Sequence, residues 1–258
     1  MRRRGMKLKQ SIRYQLADYK AGILVYYCAV VALYVVMYLV HIFLSRNVLY
    51  LNGGISAFSA IFLFICGLCS LHDNLPMHLQ NGVSRKTMLL GRLVVTVMVG
   101  AFCALIDTLL ALVIDFSPIG LEVNAATASA SLLRTTYSFW PYMHVGGILL
   151  DFFFNFFLLL LASSLGYFII VFFYRLPVKL RIVVGACAGF LLFFGVPGLQ
   201  LVNDALGYPF SYIAEHYLWP LEDAIVASPL LTMGTWAVAA VALAAVTWLI
   251  LRRTTVAR

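Results

Sequence analysis

Six stretches of this chain, residues 21–44, 53–70, 93–116, 145–174, 182–203 and 230–251, run almost without charge. A hydrocarbon core about 30 Å thick takes about 20 helical residues to cross. Inside lipid the backbone cannot borrow hydrogen bonds from water, so each such stretch must form a helix that satisfies itself. Runs this long and evenly apolar do not alternate as barrel strands do. The sequence therefore predicts an all-α polytopic membrane protein with six transmembrane helices in one domain, 1–258. The fourth stretch is longer than a bilayer needs and should tilt or protrude. Composition excludes the soluble classes. Hydrophobic residues make up 63% of the chain and charged residues 11%, with mean hydropathy +0.97, where a soluble domain carries about 25% charged residues.

The formal net charge is +8, and its location argues against a nucleic-acid partner. Of the 18 Lys and Arg, all but Arg46 and Arg134 fall at the N-terminus, in two short loops or in the tail. That asymmetry orients a membrane protein with both termini cytoplasmic. The loops left outside hold Glu122, Asp204, Glu215, Glu222 and Asp223. Five cysteines lie within apolar runs and are not spaced as a disulfide framework. The first apolar stretch is too long for a signal-peptide core, so no cleaved leader is expected.

Within residues 7–20, Leu8, Ile12, Leu16 and Tyr19 recur at helical spacing between Lys9, Arg13 and Lys20. This pattern predicts an interfacial amphipathic helix; the plainer reading is a basic leader that sets topology. Residues 117–144 read as a polar, exposed outer loop. Residues 204–229, with three prolines among aromatics, read as an apolar outer hairpin of short helices between the fifth and sixth spans.

Catalytic signatures are missing. The sequence has no phosphate loop, no His-Glu-x-x-His helix and no Gly-x-Ser-x-Gly elbow, and the expectation is a non-enzyme. Asp107 is the costliest residue, since an acid at a helix centre costs about 2.5–3.5 kcal/mol to insert. It reads as lining a substrate path or helix interface, or else as an acid kept neutral or bonded to a group such as Asn155. Asp151 and Asn155, one turn apart, form a second such set, with Asp151 expected near the wet outer surface. Ser163 and Ser164 read as helix-packing groups. Cys66, Cys69 and His72 sit at i, i+3 and i+6, but packing is the better account than metal. Gly185 and Gly189 suggest close helix approach in the fifth span. Gly195, Pro197 and Gly198 predict a break beyond it.

The inside segment, 71–92, is longer than a plain connector. Asn81-Gly82 is a turn signal and Ser84 a good N-cap for the third span. The stretch about Pro76 to Gln80 predicts a short helix parallel to the membrane. The run Asn81-Gly82-Val83-Ser84-Arg85-Lys86-Thr87 resembles one frequent in small bacterial permeases, and the architecture resembles membrane subunits of bacterial ABC transporters of the exporter-type permease superfamily. The resemblance implies that the segment after the second span is a coupling helix seated on an ATPase subunit. His72, Asp73, Pro76, His78, Gln80, Asn81, Gly82, Ser84, Arg85 and Lys86 would supply that contact. It further implies a second permease copy or paralogue, a bacterial cytoplasmic membrane, and ATP and Mg on the partner ATP-binding cassette subunit, with no cofactor in this chain. The alternative is a non-transport membrane subunit for immunity, sensing or scaffolding.

Overall fold

The computed structural model describes residues 2–44, 54–80, 84–115, 131–137, 144–190, 216 and 219–253. Among them the chain is helical. α1 spans Arg2–Leu44, α2 Gly54–Gln80 and α3 Arg85–Asp115. α4 is the short Leu132–Thr136, α5 Val145–Arg175 and α6 Val178–Phe190. α7 is Trp219–Val226 and α8 Pro229–Arg253. Four helical stretches are long and apolar enough to cross a membrane, Lys9–Val36, Lys86–Ile114, Val145–Arg175 and Pro229–Arg252, and Ile55–Ser70 is a shorter apolar one. Among the described residues the protein is all-helical, and the length and apolarity of these helices are those of a membrane protein. Residues 191–203, which contain the expected break and the rest of the fifth span, lie outside the described residues, as does most of the outer hairpin.

Local chemistry sets the helix ends. Ser84 Oγ accepts from the Thr87 backbone N–H at 3.2 Å, so the expected N-cap of α3 is present. Leu176 is extended, with φ −75° and ψ 139°, because Pro177 disfavours helical geometry in the residue before it. α8 opens on Pro229, where a missing N–H costs nothing, and Ser228 Oγ accepts from Leu231 N at 3.3 Å.

Two expected boundaries do not exist. The amphipathic stretch 7–20 and the first span are one helix, since no proline interrupts Arg2–Leu44. Three members of its stripe, Ile12, Leu16 and Tyr19, face the bundle. Tyr19 is buried, and Ile12 and Leu16 pack with it against Val95 and Val99 of α3. Likewise α2 carries straight on through Pro76 to Gln80, so 76–80 is a continuation of the second span and not a separate surface helix. Within the outer segment 117–144, residues 131–137 also differ from an exposed loop. Ser131, Leu133 and Tyr137 are buried, and Leu133 and Tyr137 pack with Phe154 and Met233.

α5 is the central helix, packed against α2, α3, α4 and α8. Its tightest contact is with α2. A Cβ on Gly67 would sit 2.7 Å from the Ser163 carbonyl oxygen, and one on Gly166 would collide with the Phe64 carbonyl oxygen. At Gly185 the described residues make no close approach, as a Cβ would meet the Phe173 ring at 4.0 Å, and the surroundings of Gly189 lie outside the described residues. Gly166→Ala would gain about 1 kcal/mol of helix propensity, but the obstacle is backbone and cannot rotate away, so about 1–3 kcal/mol or more of strain outweighs the gain. We expect Gly166→Ala to lower the thermal unfolding midpoint in detergent by several degrees. Gly146→Ala, where nothing lies within 4 Å, should not lower it; equal midpoints for the two variants would refute the contact.

Candidate functional site

The buried face of α3 repeats at helical spacing through Met88, Arg92, Val95, Val99, Cys103, Asp107 and Ala111. Two members of that stripe are ionisable. Arg92 is 3% exposed and Asp107 fully buried. Fifteen residues, about 22 Å, separate them along the helix, so they do not pair with each other. Each is met by a tyrosine of α1.

Arg92 hydrogen-bonds the Tyr19 hydroxyl through Nη1 and donates from Nη2 to Ser163 Oγ of α5 at 3.4 Å. Its guanidinium lies 5.3 Å from the ring centres of both Tyr19 and Tyr167. A delocalised cation with two π-faces and two hydroxyls is partly compensated for lost water. Nε has no hydrogen-bond partner among the described residues.

At the other end of the stripe, Asp107 Oδ1 accepts from Tyr27 at 2.8 Å and from Ser59 of α2 at 2.9 Å. Tyr27 also reaches the Cys103 carbonyl at 3.1 Å. Ser59 is bonded to the Tyr26 hydroxyl at 2.8 Å, and Tyr26 stacks on Phe62 with ring centres 4.4 Å apart. Asp107 Oδ2 has no partner among the described residues. One carboxylate oxygen thus ties α1, α2 and α3 together.

The next residue continues the seam. Thr108 Oγ1 accepts from Asn155 Nδ2 of α5 at 3.4 Å, and Asn155 also donates to Asp151 Oδ2 at 3.4 Å. Asp151 Oδ1 accepts from Ser131 Oγ at 2.6 Å. Beyond it, the Tyr137 and Thr232 hydroxyls pair at 2.7 Å and join α4 to α8. Polar contacts therefore cross the bundle from α1 to α8, through α2, α3, α5 and α4.

Several expectations change. Asp107 is not bonded to Asn155; the two belong to adjoining clusters. Asp151 is not at a wet surface, because Ser131 and its short helix cover it and leave it fully buried. Ser163 does pack helices, as acceptor for Arg92 and as the backbone neighbour of Gly67. Cys66 is half-buried and Cys69 exposed, and among the described residues no group of three or more His, Cys, Asp or Glu gathers to hold a metal. Of the coupling set, Ser84 is the cap, and Lys86 lies in the first turn of α3 with its Nζ 5.7 Å from the Trp248 ring of α8. The side chains of His72, Asp73, Pro76, His78, Gln80 and Arg85, with all of Asn81 and Gly82, lie outside the described residues. Arg92 was assigned to a loop on charge alone. The stripe it shares with Val95 and Val99 was the signal that places it inside.

These contacts set the cost of substitution. Asp107→Leu removes the acceptor of the Ser59 hydroxyl and the nearer of two acceptors of the Tyr27 hydroxyl, a loss of about 1–3 kcal/mol. Asp107→Asn retains an acceptor oxygen and should lose less than half as much. Arg92→Lys gives up the planar stacking and should cost about 0.5–2 kcal/mol. Chemical unfolding of the detergent-solubilised protein measures all three, and a Leu variant as stable as the Asn variant would remove Asp107 from the clasp.

No protein-family model matches the chain, and comparison with curated proteins and with solved structures gives no match.

Proposed function

We propose that the chain is the transmembrane subunit of an ATP-driven, exporter-type ABC transporter that moves an amphipathic peptide, lipid or drug-like cargo. A separate ATP-binding cassette subunit hydrolyses ATP, and a second permease copy or paralogue supplies the other half of the pathway. The observation that carries this reading is the length of α2. Its apolar part is Ile55–Ser70, yet the helix continues to Gln80. Ten further residues project about 15 Å as a helical rod that includes Pro76, not a slack connector, and α3 begins on its Ser84 cap a few residues later.

A rod can transmit a push. Closure of ATPase subunits against the end of α2 would displace that helix along its length. The backbone contact of Gly67 with Gly166 hands the displacement to α5, which packs on α3 and α8. The chain's own residues would thus convert a motion at 71–80 into a shift of the central helix.

A second reading, a non-transport membrane subunit, draws on one observation. Asp107, Asp151 and Asn155 are closed in by this chain's own helices, which leaves them no face for cargo. Replacing residues 76–80 by a Gly/Ser linker separates the two. Under the transport reading, co-purification with the ATP-binding partner falls at least tenfold and transport stops, while the protein stays folded. An intact complex with undiminished transport would end the coupling assignment and leave the second reading.

A further inference from the structure

α1 and α3 enclose an apolar groove of about 880 Å³ on the outer flank of the bundle. Its walls include Leu24, Cys28 and Val31 of α1 and Met98 and Phe102 of α3. Leu24 is 68% and Phe102 52% exposed, so the groove opens toward lipid. Tyr19 and Tyr27 also line it, but their hydroxyls are turned to Arg92 and Asp107. From Lys20 to Ala32 it runs about 18 Å, little more than one leaflet of a bilayer.

Lys20 is the lining residue that carries a charge, near the N-terminal end. At 100° per residue Lys9, Arg13 and Lys20 fall on one face of α1, within about 40° of one another, and all three are exposed. The same face holds Tyr27 and Val31. The helix therefore presents a row of three cations leading into a trough whose wall beyond Lys20 is almost wholly apolar. Asp18, the nearby acid, stands about 200° around the helix from Lys20.

We propose that this groove binds one anionic phospholipid, with an acyl chain along α1 and α3, the headgroup phosphate between Lys20 and Arg13, and Lys9 one turn further out adding to the positive field. The trough matches the chain in polarity and depth, and the cationic row matches the headgroup in sign. Long basic side chains reach a headgroup while their stems stay in apolar surroundings. The site needs no ATPase and stands independently of the transport reading.

The test uses the full chain, delipidated in detergent and offered equal amounts of phosphatidylglycerol and phosphatidylcholine, with retained lipid counted by native mass spectrometry. Each basic residue near a headgroup is worth about fivefold in anionic lipid binding. The unmodified chain should retain phosphatidylglycerol in at least tenfold preference. Lys20→Gln should reduce that preference about fivefold, and Lys9→Gln/Arg13→Gln/Lys20→Gln should erase it. Lys179→Gln, an exposed lysine on α6, should leave it unchanged. Cys28→Phe, which fills the trough, should lower retention of both lipids. Equal retention of the two lipids by the unmodified chain would overturn the proposal, as would a preference that survives the triple substitution or is lost equally with Lys179→Gln. A disulfide-linked dimer formed in native membranes by mild oxidation, and abolished by Cys28→Ser, would also overturn it, because a second copy would then cover the groove.

Discussion

The contact of Gly67 with Gly166 sets the spacing of everything around it. Helices in lipid have no hydrophobic drive to associate, because acyl chains are as apolar as leucine. What remains is close packing and internal hydrogen bonding, and both require short distances. With Gly166 against the Phe64 carbonyl, α2 and α5 approach backbone to backbone. That approach brings Ser163 to the level where Arg92 can reach it from α3. A wider crossing would separate α5 from α2 and weaken the seam that depends on both.

Within that spacing, the polar groups follow one rule. Every ionisable group described inside the bundle is met by hydroxyls, an amide or an aromatic face. Arg92 has Tyr19, Ser163 and Tyr167. Asp107 has Tyr27 and Ser59, and Asp151 has Ser131 and Asn155. Neutral partners hold a buried charge less strongly than an opposite charge does. They also avoid the desolvation of a second ion, which in low dielectric can exceed the Coulomb gain. The clasp is thus spread over many modest contacts. α1 is fixed to the bundle by two tyrosines two turns apart, and its groove lies along the face between them and the lipid.

How far the sequence carried depends on which physics each element obeys. Long apolar helices and the Ser84 cap were legible because length, hydropathy and capping are local. Asp107 stood out because an acid within an apolar run is visible in the sequence without knowing its partners. The fate of Asp151 was not legible, since its partner Ser131 lies twenty residues away in a segment whose composition reads as loop. Gly67 and Gly166 were not legible either, because each is a single glycine in a long helix and only their meeting gives them meaning. Arg92 was misread for a different reason. Its charge was assigned to topology, although its spacing from Met88, Val95 and Val99 already set it on the packed face. The continuity of α1 and α2 was obscured because a change in composition was taken as a change in structure; polar residues alone do not end a helix.

The hydroxyl pairs have one more consequence. In Tyr26–Ser59 and in Tyr137–Thr232 the tyrosine is the donor, because the one hydroxyl hydrogen of Ser59 goes to Asp107 Oδ1 and that of Thr232 to backbone carbonyls of Ile225 and Ser228. Each pair is thus one link of a chain with a single proton direction, from a tyrosine through a hydroxyl to an acceptor with no hydrogen to return. Sliding the helices apart breaks such a chain at its tyrosine, and the tyrosine hydroxyl alone is left to find a new acceptor. The bundle is therefore stitched by joints of fixed polarity, which favour one arrangement of the helices over its near neighbours.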